Sequence, residues 1–443
     1  RVQVAADDPP IEPDPNRLPF PVVEVRVDGG HPGKFHLKPG LLAEFPLRRV
    51  THVFVPLQPP ARNAPEPRVF PLCPPPHQDP PGVIPHDHRH PDAGVAARRH
   101  FSVANGGLHP RKPTCLPPAM RSPGRGYTLA MPRIAVVGSL MMDLVIRAQR
   151  LPALGESLIA SGFQTFVGGK GGNQATAAAR LGADVAMIGR VGEDEFGRAI
   201  VANLGAEGIE VSHVSVDPVT GTGVAVPIVL DDGNNAILAV PRANLALDPG
   251  DIRRAAPAIE SADLLLVQFE VGMEATELAM RIARDAGRTV ILNPAPIAPH
   301  PPGLLALADV LIPNEVEAAA LVPFAAGDHE REAAVLLGHG PHSVVITLGE
   351  RGALVATAGA ARLIPAFPVE AVDTVGAGDA FCGAFAVALA SGAPLLDAAR
   401  YGSAAAACAV TRPGAAAALP SRPEVAQILQ TSGELSPALQ RFC

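Results

Sequence analysis

Read for the spacing of its apolar residues, the chain changes character near residue 131. Beyond that point, apolar runs of strand length alternate with Ala-rich segments whose apolar positions recur at helical spacing. The runs predict strands at 133–138, 185–190, 263–268, 289–293, 309–312 and 343–347, and Val369-Glu-Ala-Val372 reads as a further strand end. The segments between them predict helices at 170–181, 194–206, 273–286, 315–321, 329–338, 376–391 and 394–410. Strands written as unbroken Val, Ile and Leu have both faces buried, and strands that alternate with helices pair in parallel. The expected fold is α/β: a doubly wound, mostly parallel sheet with helices on both faces. Two stretches break the rhythm, at 157–167 and 222–240. They alternate apolar and polar positions with no helix between, as in Thr222-Gly-Val-Ala-Val-Pro-Ile-Val-Leu230, and predict a small one-faced β-sheet that acts as a lid over a ligand.

Residues 1–130 carry 27 of the 49 prolines and 9 of the 14 histidines, with no sustained period of 2 or 3.6. Such a segment buries too little apolar surface to offset the entropy of ordering it, so it is expected to be disordered or poorly packed. The chain opens on Arg1, and Met131 stands just before the first clean strand, which suggests that residues 1–130 are upstream sequence and that the protein begins at Met131. His86-Asp-His-Arg-His90 matches no standard zinc spacing and reads as a solvated His-rich tract, with a metal site as its alternative. Residues 131–430 form the expected catalytic domain, and 431–443 a C-terminal tail.

Net charge of -7 and a pI near 6.1 argue against nucleic acid or an anionic membrane as partner, since both require a basic face. Cys73, Cys115, Cys382, Cys408 and Cys443 show no paired spacing, which fits reduced thiols in a cytoplasmic protein.

Two glycine-rich turns carry the candidate chemistry. In Asp373-Thr-Val-Gly-Ala-Gly-Asp379, Gly376, Ala377 and Gly378 lead into a helix whose first N–H groups form a hole for an anion such as a transferring phosphoryl group. Asp379 in that turn is placed to accept a proton from a substrate hydroxyl. A glycine turn with an aspartate also simply starts helices, and this motif alone leaves both readings open. The second turn, Gly168-Gly-Lys-Gly-Gly-Asn173, opens another helix. Gly169, Gly171 and Gly172 let a ligand rest against main chain, while Lys170 and Asn173 offer donors to hydroxyls, which suits a sugar; a packing role is its alternative. Neither turn has the spacing of a Walker A loop or a dinucleotide fingerprint. Asp143 follows the first strand, where open α/β sheets bind ligands, and could accept two hydroxyls or act as a cap.

Taken in order, these pieces resemble the ribokinase family of PfkB-type carbohydrate kinases over residues 132–430. The resemblance is carried by Gly138-Ser-Leu-Met-Met-Asp143, the Gly168 to Asn173 loop, Gly189-Arg-Val-Gly-Glu-Asp-Glu-Phe-Gly197, Asn293-Pro-Ala-Pro296, Pro313-Asn-Glu-Val-Glu317, Thr347-Leu-Gly-Glu-Arg-Gly352 and Asp373 to Asp379. It implies ATP-dependent phosphorylation of a small sugar, ribose first, with a ketose, sugar acid or nucleoside as alternatives. Asp143, Gly169, Lys170, Gly171, Gly172, Asn173 and Glu270 match sugar-contacting positions, and Asp379 matches the general base. Asn314, Thr347, Leu348, Gly349, Gly352, Gly378 and Ser403 match nucleotide-contacting positions. Glu317 matches a residue that holds Mg²⁺ through water. Asp373, with backbone at Val375, Ala409, Arg412 and Gly414, matches a site for K⁺ as activator. A homodimer is implied by the same analogy. A dehydrogenase would need G-x-G-x-x-G after its first strand, and a mere binding module has no need of Asp379.

Three positions depart from the pattern. Met141 stands where ribokinases typically carry an asparagine that hydrogen-bonds the sugar, and a thioether cannot donate there. Arg242 replaces a small residue of the lid and reads either as a surface arginine or as a contact for an anionic or larger substrate. Ala418 stands where a hydroxyl is often found near the K⁺ ligands. The missing oxygen predicts weak K⁺ dependence: a cation-swap assay should retain most of the activity without K⁺, and complete loss would contradict this.

Overall fold

The computed structural model describes residues 22–25, 33–36, 131–232, 235–431 and 436–442. The chain divides into two units between Pro117 and Pro118. In the first, β1 (Val22–Val25) pairs antiparallel with β2 (Gly33–His36). The His-rich tract, the expected start at Met131 as it concerns earlier residues, and Cys73, Cys115 and Cys443 lie outside the described residues.

In the second unit the strands expected from apolar runs appear as β3 (Arg133–Val137), β6 (Asp184–Gly192), β10 (Leu264–Gln268), β11 (Thr289–Asn293), β12 (Val310–Leu311) and β13 (Ser343–Thr347). They belong to one nine-stranded sheet, which β7 (Glu210–Asp217), β14 (Ala353–Thr357) and β15 (Ala360–Ile364) complete. Its order is β15-β14-β13-β12-β11-β10-β3-β6-β7, and only the β13–β14 and β14–β15 pairs are antiparallel. Alternate residues of each strand enter opposite cores. Ile134, Val136, Leu264 and Leu266 pack with α1 (Lys170–Arg180), α7 (Ala377–Ala390) and α8 (Leu395–Ala409). Ala135, Val137, Leu265 and Val267 pack with α3 (Pro249–Ser261), α4 (Met273–Asp285) and α6 (His329–Gly338). Unbroken apolar strands thus serve two helical layers, as their sequence implies. Among the described residues no helix is long and apolar enough to cross a membrane.

The projecting sheet has four strands, in the order β5-β4-β8-β9. The edge strands β5 (Gly162–Gly168) and β9 (Asn235–Val240) and the inner strand β8 (Gly223–Leu230) correspond to the two alternating stretches, although 157–161 is irregular and β5 runs one residue past 167. The other inner strand, β4 (Met141–Ala148), has no counterpart in the sequence reading, because Met-Met-Asp-Leu-Val-Ile does not alternate. Asp143, which follows the first strand in sequence, is therefore a lid-strand residue.

Val369–Val372 is not a strand end: residues 365–371 are irregular, since Pro365 and Pro368 remove the donors a ladder would need. The helix α3 escaped the sequence reading because Pro257 lies inside it. Asp248 and Asp251 form its capping box, and Pro249 occupies its first turn.

The helices α1 and α7 cross at Gly383, where a Cβ would lie 2.6 Å from the Ala177 Cβ and 2.8 Å from the Gln174 carbonyl oxygen. No side chain fits there without separating the helices. Gly383→Val should destabilise the fold by about 1–3 kcal/mol, seen as a lower denaturation midpoint, and an unchanged midpoint would refute this packing account.

Candidate active site

The carboxyl ends of β11, β12 and β13 and the amino ends of α1 and α7 converge on one cleft of about 200 Å³. Lys170, Asn314, Glu317, Thr347, Gly376, Gly378 and Asp379, all singled out from sequence, line it. So do Asn293, Ile312, Thr374 and Cys382, which the sequence reading gave no role. A signal for Asn293 was present, since it ends a strand inside one of the quoted motifs. Cys382 follows Asp379 by one helical turn, and nothing in its own neighbourhood marks it.

Gly376 opens α7 with φ 81°, a conformation that favours glycine, and Ala377 N–H turns back to the Thr374 carbonyl at 3.3 Å. The Asp379 carboxylate sits in the first turn of α7 and is held from α1: Asn173 Nδ2 donates to Oδ2 at 2.9 Å and Gln174 Nε2 to Oδ1 at 3.0 Å. Gly169 makes the matching entry into α1 with φ 86°. A Cβ on it would lie 2.8 Å from Met141 N and 2.9 Å from the Ser139 carbonyl oxygen, so the loop is pressed against the start of the lid. Gly172 N–H donates to the same Ser139 carbonyl at 3.0 Å, and Gly171 lies flat against the Gly138 backbone.

Glu270 takes the Lys170 backbone N–H at 3.1 Å and the Ser139 hydroxyl. On the lid, Asp143 occupies space left by Gly168, where a Cβ would lie 2.3 Å from Oδ2. Burial, then the charges of Glu270 and Asp379, raise its carboxyl from the ordinary 3.8 to about 7. Burial also raises Glu270 and Glu317, against the opposing charge of Lys170. For Lys170 itself burial favours the neutral amine, but Asp379, Glu270 and Glu317 outweigh it and hold the ammonium above its usual range. The cleft thus presents one firmly charged cation among carboxylates.

Asn314 and Glu317 are not a solvated pair. They form the capping box of α5 (Glu315–Leu321), with Asn314 Oδ1 accepting Glu317 N–H and Glu317 Oε2 accepting Asn314 N–H, both at 2.8 Å. The Asp373 carboxylate accepts Val375 N–H at 3.0 Å and Gly414 N–H at 2.9 Å, which joins two of the expected K⁺-site segments. Ala409 closes α8 beside them, while the Arg412 side chain turns to Glu424 at 2.7 Å. Leu348, Gly349 and Gly352 form the turn between β13 and β14, closed by Leu348 N–H on the Gly352 carbonyl at 2.8 Å. They lie off the cleft lining, as does Ser403, buried in α8. Arg242 is exposed, but its guanidinium covers Gly221 and donates to the Thr222 carbonyl at 3.1 Å, which ties it to the foot of the lid.

The pfkB family carbohydrate kinase profile matches residues 131–422. The chain belongs to the pfkB family of carbohydrate kinases. Among relatives of this kinase, the ribokinase of Bacillus subtilis is 41% identical over 301 residues, covering 68% of this chain and 100% of the relative. The deoxyribokinase of Salmonella typhimurium is 41% identical over 257 residues, covering 57% of this chain and 84% of that protein. The structure of Arabidopsis thaliana ribokinase complexed with ribose and ATP superposes with a TM-score of 0.63 at 31% identity, covering 68% of this chain and 99% of that one.

The raised Asp143 carboxyl has a consequence for this kinase without ligand. Between pH 4 and 7 the folded state binds a proton at Asp143 that the unfolded chain releases, so stability from this group is complete below about pH 4 and lost as pH rises through 7. Asp143→Asn should therefore gain clearly more stability relative to the parent at pH 7.5 than at pH 4.5 in denaturant titrations. An equal difference at both pH values would contradict the assignment.

Proposed function

We propose that this chain transfers the γ-phosphate of ATP to the primary hydroxyl of ribose, with Asp379 as the general base. The observation that carries this reading is the placement of the Asp379 carboxylate in the first turn of α7, beside Lys170 and the Gly376–Gly378 turn in one cleft. The sugar lies between the Gly169–Asn173 turn and the lid, with Asp143 and Glu270 accepting its hydroxyls and Lys170 and Asn173 donating. The lid sheet closes over it and excludes water. Asp379 takes the proton as the hydroxyl attacks in line, and the Gly376–Gly378 turn at the start of α7, whose Ala377 N–H also turns back to Thr374, receives the charge on the transferring phosphoryl group.

Asn314 and Thr347 border the nucleotide phosphates, and the turn at Leu348, Gly349 and Gly352 with Ser403 holds the remainder of the nucleotide. The donor set fits magnesium held through water: Glu317 spends Oε2 on its capping box and keeps Oε1 for a metal-bound water. Magnesium neutralises phosphate charge when bound. A K⁺ ion beside Asp373 fits in part, with backbone oxygens at hand but only a buried methyl at Ala418. Apolar side chains left open on the lid, Phe163, Ile237, Leu238 and Val240, support pairing of two copies through their lids.

A second substrate is favoured by Met141. It is buried on β4 two positions before Asp143, and so shares that residue's face of the lid. An apolar thioether there forfeits a bond to a hydroxyl worth about 1–3 kcal/mol, which removes the ground for rejecting a sugar that lacks it. The deoxyribokinase relative makes 2-deoxyribose the natural candidate.

An ATP-coupled assay tests both readings. Ribose should be phosphorylated, and 2-deoxyribose should follow within about tenfold in kcat/KM. Asp379→Asn should lower kcat by roughly 10²–10⁴-fold with sugar binding nearly intact. Parent-like turnover in that variant would remove Asp379 from the mechanism, and no turnover of either pentose by the parent would remove the substrate assignment.

A further inference from the structure

Behind Asp379 lies a line of buried amides that substrate binding does not require. Ile312, just past β12, presents a carbonyl that can only accept, and Asn293 Nδ2 donates to it at 2.8 Å. This fixes the orientation of the Asn293 amide, so its Oδ1 faces Gln174 as an acceptor. Gln174 must then donate: Nε2 gives one hydrogen to Asn293 Oδ1 at 3.1 Å and the other to Asp379 Oδ1 at 3.0 Å. Its own Oε1 accepts Gln268 Nε2 from the end of β10 at 2.6 Å. Gln174 and Gln268 are both 0% exposed, so no water competes with these bonds. The direction of every bond from the sheet to Asp379 is thereby set by one backbone carbonyl.

We infer that Gln174 is a positioning residue for Asp379: it ties Oδ1 to the sheet and leaves Oδ2, whose partner is Asn173 at the sugar turn, as the oxygen that takes the substrate proton. The inference rests on the reading of Asp379 as the base. Gln174 touches no reacting atom. It fixes the rotation of the carboxylate about its side-chain bonds.

The test uses the full chain with ribose and Mg·ATP. Gln174→Met, close in volume but without the donor, should lower kcat by about 10–100-fold and leave the sugar KM within about threefold. In an Asp379→Asn background the same change should have no further effect on kcat, since Gln174 acts only through that carboxylate. Should Gln174→Met fail to fold, Gln174→Glu retains the shape but puts a carboxylate where the donor stood, and it should lower kcat with the sugar KM likewise within about threefold. Parent-like kcat in the folded variant, a raised KM with kcat intact, or additive losses in the double variant would each overturn the inference. Full activity in Asp379→Asn alone would instead overturn the reading of the base.

Discussion

Two consecutive side chains of α1, Asn173 and Gln174, grip the carboxylate of Asp379 on α7, and the rest of the site is arranged around that contact. The partners are separated by more than two hundred positions, so only the packing of the two helices can bring them together. That packing depends on small residues: Gly383 meets Ala177 and the Gln174 backbone with no room for a side chain. Because the helices touch backbone to backbone, their amino ends arrive together at the carboxyl edge of the sheet. This is where the strands β10 and β11 end in amides, Gln268 and Asn293, rather than in more apolar residues.

The same closeness makes the unliganded site electrostatically unbalanced. Lys170 faces Asp379, Glu270 and Glu317, and Asp143 comes down from the lid toward Glu270 and Asp379. One cation cannot neutralise four carboxylates, and the imbalance shows where relief is easiest: Asp143, mounted on a strand that projects from the domain, is pushed to about 7. Sugar hydroxyls donated to Asp143 and Glu270 would supply the missing counterparts. Lid, charge and ligand are thereby coupled, since the strand that covers the site also carries a carboxyl that burial and neighbouring charges push up.

The fold was legible where one physical rule dominated. Unbroken apolar strands and Ala-rich helices gave the six central strands and seven helices almost to the residue, because burial on both faces leaves little freedom of composition. Edge elements were not legible: β15 is exposed at four of its five positions and has no apolar pattern to detect. The lid strand β4 was hidden for another reason, since an inner strand of the lid that buries Met141 and Met142 side by side and then carries Asp143 does not alternate. For the site, glycine turns that open helices were readable, as their chemistry is local. The amide line through Gln174, Gln268 and Asn293 was not, because each residue sits in a different element and only the sheet order places them in contact.

Asn314 and Glu317 show why motif and scaffold resist separation here. Their mutual bonds satisfy the first N–H groups of α5, and that alone would justify an asparagine followed by a glutamate three positions later. The same helix start also borders the cleft, so the capping carboxylate faces Lys170 and whatever lies between them. A loss of activity on replacing Glu317 would therefore mix a frayed helix with a missing negative charge, whereas Asp379 caps no helix, and Asp379→Asn removes its charge while keeping a side chain of the same shape between Asn173 and Gln174. The distinction follows from bonding: Glu317 donates its geometry to the fold, and Asp379 receives its geometry from α1.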